Sequence, residues 1–286
     1  MSIIEGALMR AGVERAPDSK VIHIAAGDGE LNTALGDCTA YNGDIIVVSP
    51  GNHSVTEVVD IDVGGVTIVA AELGLPAEEQ GEKFTVNAAA AYTDGPAAVI
   101  TAPCRIIGMG FAGRQTAGES LLIDCEEAGG FSGGFISLEY CRFSVWYGAM
   151  THGLKMIGGA VNKVLHCSFD GLFGGFGTSA IGLYNDAGGL TPSYTEVKHC
   201  IFQGVGSGKH AIKHGTGSTP VGFLYAHNYL LPGFLGNYGK FLDNTNVAST
   251  GMCADNWLAP LANQAAAFEN LTNATIGFAD NHYEEA

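Results

Sequence analysis

Positive charge is scarce in this sequence: 13 Lys and Arg stand against 29 Asp and Glu in 286 residues, a net charge of −16. The acidic residues are spread along the chain, and such a surface repels phosphate backbones and anionic membranes, which excludes nucleic acid and lipid as expected partners. The same shortage argues against a polyuronate ligand, whereas a neutral glycan or a protein surface remains compatible. Long apolar runs are also missing, and none approaches the roughly 20 residues that span a bilayer. Residues 1–16, MSIIEGALMRAGVERA, lack the basic stretch followed by an apolar core that marks a secretory signal, so synthesis in the cytoplasm is expected. The seven cysteines include no C-x-x-C pair, and the chain is neither small nor evidently secreted. They therefore read as reduced thiols acting as small apolar groups, not as a disulfide framework or zinc site. Finally, the second half offers no glycine-poor amphipathic stretch of ten or more residues, which rules out helical repeats.

What the second half does contain is a period. The pairs Cys141/Phe143, Cys167/Phe169, Cys200/Phe202, Asn228/Leu230, Asn256/Leu258 and Asn281/Tyr283 recur at intervals of 26, 33, 28, 28 and 25 residues. Such spacing marks a repeat architecture in which each unit buries its apolar face against the next. Two or three strands of about five residues plus turns fill one coil of a parallel β-helix, with neighbouring coils about 4.8 Å apart. A second column, Leu154, Ile181, Ile212, Phe241 and Phe268, keeps step with the first at intervals of 27, 31, 29 and 27. The 42 glycines, without a collagen period, suit repeated tight turns. The fold class expected is all-β: a single-stranded parallel β-helix, or solenoid, over residues 21–286, its right hand being what the resemblance below implies. Residues 1–20 form a short N-terminal cap, strap or docking segment, and residues 28–40, with Leu31, Ala34 and Leu35, look like the small entry helix over the first coil that the resemblance below implies.

In the first half, GDIIVVSPGNHSVTEVVDIDVGGVTIVAAELG resembles the opening coil of pectin-lyase-like right-handed β-helix proteins, where a GDxIxVxPGxY segment precedes a VTI strand. AVITAPCRIIGMGFAG is similar to a following coil, with Met109 and Phe111 in the Cys/Phe register. The residues by which that family's enzymes are recognised are missing: there is no adjacent Asp-Asp pair with a later Gly-His-Gly and Arg-Ile-Lys, and no RxPxxR-like segment. Motif-free β-helices of this kind recur in bacteriophage particles. The resemblance therefore implies a non-enzymatic virion structural protein, a capsid decoration or other exterior head or tail component. It would act as a homotrimer contacting other virion proteins, with no cofactor. Trp146, Tyr147, Phe173, Phe176, Tyr229 and Trp257 are the expected contact side chains. The alternative is a carbohydrate-active enzyme, a polysaccharide lyase or glycoside hydrolase, or a glycan-binding β-helix.

Polar columns supply the weak site candidates. His166, His199 and His227 lie between Tyr140 and Asp255/Asp280 at one corner, and imidazoles at coil spacing either stack or share a divalent ion. Stacking is the expected state, because ligands must converge on one point. A further column, Met156, Leu183, His214, Asp243 and Asn270, places His214 beside Asp243, either as a base with its orienting carboxylate or as a satisfied buried pair. Asp60 and Asp62 alternate on one strand. They read as paired carboxylates or as an exposed face opposite Val59, Ile61 and Val63, the second being favoured.

Overall fold

The computed structural model describes residues 12, 16–73, 77–88, 95–113, 119–124, 135–144, 152–157, 161–170, 181–186, 194–205, 210–215, 219–232, 239–245, 247–258, 261 and 264–283. Three parallel sheets of ten, eight and seven strands run the length of a single solenoid. Each coil visits them in a fixed order, for example Ile45–Val48 in the first sheet, Gly51–Val55 in the second, Val59–Ile61 in the third and Val66–Ala70 back in the first. The first sheet extends from Val21–Ile24 to Thr275–Ala279, the second, seven-stranded one from Gly51–Val55 to Tyr229–Pro232, and the third from Val59–Ile61 to Phe268–Glu269. The apolar pattern of the strands explains this choice. Ile46, Val48, Ile68, Ile106, Leu138 and Val164 point inward at period two, and each is buried against the same position one coil away.

The predicted ladder forms. Phe111, Phe143, Phe169, Phe202 and Leu230 occupy consecutive rungs of the second sheet, and Leu230 N–H then donates to the carbonyl of Trp257, next to Leu258. Ring centroids of Phe143, Phe169 and Phe202 are 4.9 and 4.6 Å apart, an offset stack along the axis. The expected helix is α1 (Glu30–Gly36), which buries Leu31, Ala34 and Leu35 over the first coil. Two further helices, α2 (Ala77–Lys83) and α3 (Gln264–Ala267), sit in turns. Of the proposed strap, residues 1–11 and 13–15 lie outside the described residues.

The second column needs a correction. Leu154 stacks on Leu183, not Ile181, and Ile212 stacks on Leu242, not Phe241; the rungs are Leu121, Leu154, Leu183, Ile212, Leu242 and Phe268. Core volume decides the register. Gly153 and Gly182 sit opposite the phenylalanine ladder, where a Cβ on Gly182 would lie 2.8 Å from the Phe202 ring and one on Gly153 3.3 Å from Phe169. Sliding the strands so that Ile181 covered Leu154 would drive larger side chains into those rings. Where the ladder shortens to Leu230, Phe241 enters the space and meets Phe202 edge to face at 6.2 Å.

Candidate functional site

The corner between the first and second sheets is a single residue in the left-handed conformation, repeated coil after coil. Tyr140, His166, His199, His227, Asp255 and Asp280 all have φ between 48° and 56°. The next residue points inward and ties the coils together. Asn228 Nδ2 donates to the carbonyl of Val197, Asn256 Nδ2 to that of Tyr225 and Asn281 Nδ2 to that of Cys253, while each side-chain oxygen accepts the preceding rung's backbone N–H. Cys141, Cys167 and Cys200 fill the same position with thiols aimed at the carbonyls of Ile106, Leu138 and Val164. They are buried structural groups. Burial, and then the neighbouring thiols, pushes Cys167 well above the ordinary thiol range.

On the outside of this corner the rings of Tyr140, His166, His199 and His227 stack at 4.8–4.9 Å with planes within 6° of parallel. Nitrogen lone pairs lie in the ring plane, so in this stack they run side by side and do not meet at an ion. His199 is held below the ordinary imidazole range by partial burial, then by the charges of His166, His227 and Lys198.

The His214–Asp243 pair does not form. His214 is fully buried, with Nδ1 2.8 Å from Asn244 Oδ1 and Nε2 2.9 Å from the Tyr225 hydroxyl. Asp243 pairs across the coils with Lys213 and faces outward. A slip of one residue in the expected register reverses which side chains face the core, and that slip produced the false pair. Asp60 and Asp62 are both exposed beside buried Val59 and Ile61, as the surface reading expects.

With the register corrected, the outer face of the third sheet gathers groups that sequence reasoning did not bring together. One outward column runs Leu122, Lys155, Tyr184, Lys213, Asp243, Glu269, and its neighbour contains Glu119, His152, His210 and Lys240. Period-two alternation from Leu154, Leu183, Ile212 and Leu242 was the signal that would have found them. At one end, Lys213 Nζ is 3.0 Å from Asp243 Oδ2, and His210 Nε2 is 2.8 Å from Glu269 Oε1 and 3.8 Å from Asp243 Oδ2. Burial pushes the Asp243 carboxyl up, but hydrogen bonds from Asn270 and the Thr245 N–H and the Lys213 ammonium outweigh it and hold it below the ordinary range. Among the described residues, His210, Asp243 and Glu269 form the one group whose ligand atoms gather, within 4.8 Å, as a metal would require. Lys213 already supplies the positive charge there, which makes the group a salt-bridge network.

Two coils away, His152 Nδ1 lies 3.9 Å from Glu119 Oε2, and its ring packs 4.7 Å from Tyr184. Burial, then the charges of Lys155 and Lys213, lowers His152 to about 4. Burial raises Glu119 against the opposing pull of Lys155. A neutral imidazole beside a carboxyl that keeps its proton longer than usual is equipped to accept one proton and donate another.

No protein-family model and no curated protein matches this sequence. Solved structures do match its shape. Pectin methylesterase from carrot aligns with a TM-score of 0.54 at 9% identity, covering 94% of this chain and 85% of that one. Alginate lyase from Paenibacillus sp. str. FPU-7 aligns at 0.50 and 12% identity, covering 93% and 99%. The fold is a pectin-lyase-like right-handed parallel β-helix. At such identities the likeness carries the architecture and leaves the chemistry to the residues above.

Proposed function

We propose that this β-helix is a non-enzymatic structural protein, a bacteriophage capsid decoration or other exterior head or tail component that assembles side by side as a homotrimer. One observation carries the assembly. On the second sheet, Ile201, Tyr229 and Trp257 stack on successive coils with Leu231 beside them, and each is 37–49% exposed. Among the described residues no Lys, Arg, Asp or Glu shares these rungs: the outward positions are Ile201, Gln203, Tyr229, Leu231 and Trp257, with His282 on the next coil, its ring 5.7 Å from Trp257. Copies of a chain with net charge −16 repel one another, so an uncharged apolar strip is where they meet at least cost. Of the contact side chains expected from sequence, Tyr229 and Trp257 belong to this strip; Trp146, Tyr147, Phe173 and Phe176 lie outside the described residues. The virion setting rests on the kinship of motif-free β-helices with phage exteriors.

Light scattering after size exclusion tests the reading. The native chain should run as a trimer, and Tyr229→Glu with Trp257→Glu should give folded monomers with unchanged circular dichroism. A native monomer at micromolar concentration defeats it. A second reading, a carbohydrate-active or glycan-binding β-helix, draws support from the Glu119–His152 pair beside Tyr184. It requires that a polysaccharide panel show turnover or binding that Glu119→Gln and His152→Ala abolish.

A further inference from the structure

The outer face of the first sheet carries a groove of about 370 Å³ near the α1 end of the solenoid. Its floor is a polar ladder on three adjacent strands, Thr67, Arg105 and Ser137, and its lining includes two exposed rings, Tyr41 and Phe135. Tyr41 is 76% exposed and Phe135 62%, so neither contributes much to the core.

The position of Tyr41 is built. Its backbone sits at φ 60°, a conformation that costs an aromatic residue about 1 kcal/mol or more. Its N–H donates to the Gly64 carbonyl at 2.6 Å. Its ring lies across Gly64, where a Cβ would come within 2.6 Å of the Tyr41 ring carbon Cζ. The floor is equally set. Arg105 Nε and Nη2 donate to Glu139 Oε1 and Oε2 at 2.7 and 2.8 Å, and Ser137 Oγ donates to Glu139 Oε1 at 2.9 Å. A closed guanidinium–carboxylate pair presents no net charge. That selects against ions: an anion meets the acidic field of the chain, and a cation meets the guanidinium.

We propose that this groove binds an uncharged sugar, whose C–H face rests on the Tyr41 and Phe135 rings and whose hydroxyls bond Thr67 and Ser137 beside the neutralised Arg105. Flat apolar platforms over a neutral, donor-and-acceptor floor match a pyranose, which is apolar on its faces and polar around its rim. The site lies on a different sheet from both the apolar strip and the Glu119–His152 pair, and it stands whether or not the chain forms trimers.

The test is titration calorimetry of the full chain with cellotetraose, maltotetraose and chitotetraose, alongside tetragalacturonate and a proline-rich decapeptide. At least one neutral tetrasaccharide should bind, and Tyr41→Ala and Phe135→Ala should each weaken it about tenfold or more, equivalent to about 1.4 kcal/mol, without changing the melting temperature. Lys155→Ala, on the third sheet, should leave that binding intact, and light scattering on the same samples should show an unaltered oligomeric state. The proposal is overturned if no neutral sugar binds, if binding survives both aromatic substitutions, or if only the charged sugar or the peptide binds.

Discussion

Acidification should loosen this protein through one buried imidazole, and the size of the effect follows from the site. His214 has no exposed surface, and its two ring nitrogens are already committed to Asn244 and Tyr225. Asn244 Oδ1 accepts, so Nδ1 carries the proton; burial raises the Tyr225 hydroxyl, which keeps its own proton and donates it to Nε2. A second ring proton would leave two donors facing each other inside the core. Burial accordingly lowers His214 from 6.5 to about 4, against smaller opposing contributions from Asn244 and Asp243. Between those two values the unfolded chain holds the proton and the folded chain does not. Stability is therefore complete above pH 6.5 and declines as pH falls toward 4. The gap, at about 1.4 kcal/mol per pH unit, amounts to about 3 kcal/mol. The assay is equilibrium urea unfolding by circular dichroism at pH 7.5, 6, 5 and 4, on the native chain and His214→Gln. The variant lacks this titration and retains every other, including that of His152, so the native chain should lose about 3 kcal/mol relative to it across the range. A difference that stays constant with pH would refute the buried neutral tautomer, as would an imidazole NMR titration showing His214 charged at pH 5.5.

Further outcomes follow from the packing. Phe169→Asp should abolish soluble folding, because it places an unpaired charge between two stacked rings, whereas Phe169→Ala should cost about 3–5 kcal/mol in urea unfolding. Arg142→Ala should cost about 3–5 kcal/mol, since it removes the positive charge paired with the buried Asp170 carboxylate and releases Glu82 on α2. Asn256→Ala should cost about 2 kcal/mol by leaving the Tyr225 carbonyl and the Asn228 N–H without their partners. Adding Zn²⁺ or Ni²⁺ should leave the melting temperature unchanged, because the His166–His199–His227 stack offers no convergent lone pairs; a metal-dependent rise that His199→Ala removes would contradict the stacked geometry.

The solenoid was legible because its repeat is chemical as well as numerical. The Cys/Asn positions at the left-handed corner each cap a carbonyl of the neighbouring coil, so every coil needs a small or amide side chain there followed by a core residue two positions on. The third sheet was less legible. Its strands begin after turns of unequal length, and only the glycines facing the phenylalanine ladder set the phase: Gly153 over Gly182, and therefore Leu154 over Leu183. An error of one residue in that phase, Phe241 taken for Leu242, turned Asp243 inward beside His214.

By itself the amino-acid order determined the coil period and the phenylalanine and cysteine stacks, because each is a local pattern repeated one turn later. Only the folded chain decided what meets across coils of different length. Proximity there is set by how core volumes settle against one another, so it was packing that fixed the phase bringing Glu119 beside His152 and Lys213 beside Asp243, and that drew Tyr41 and Phe135 to one groove.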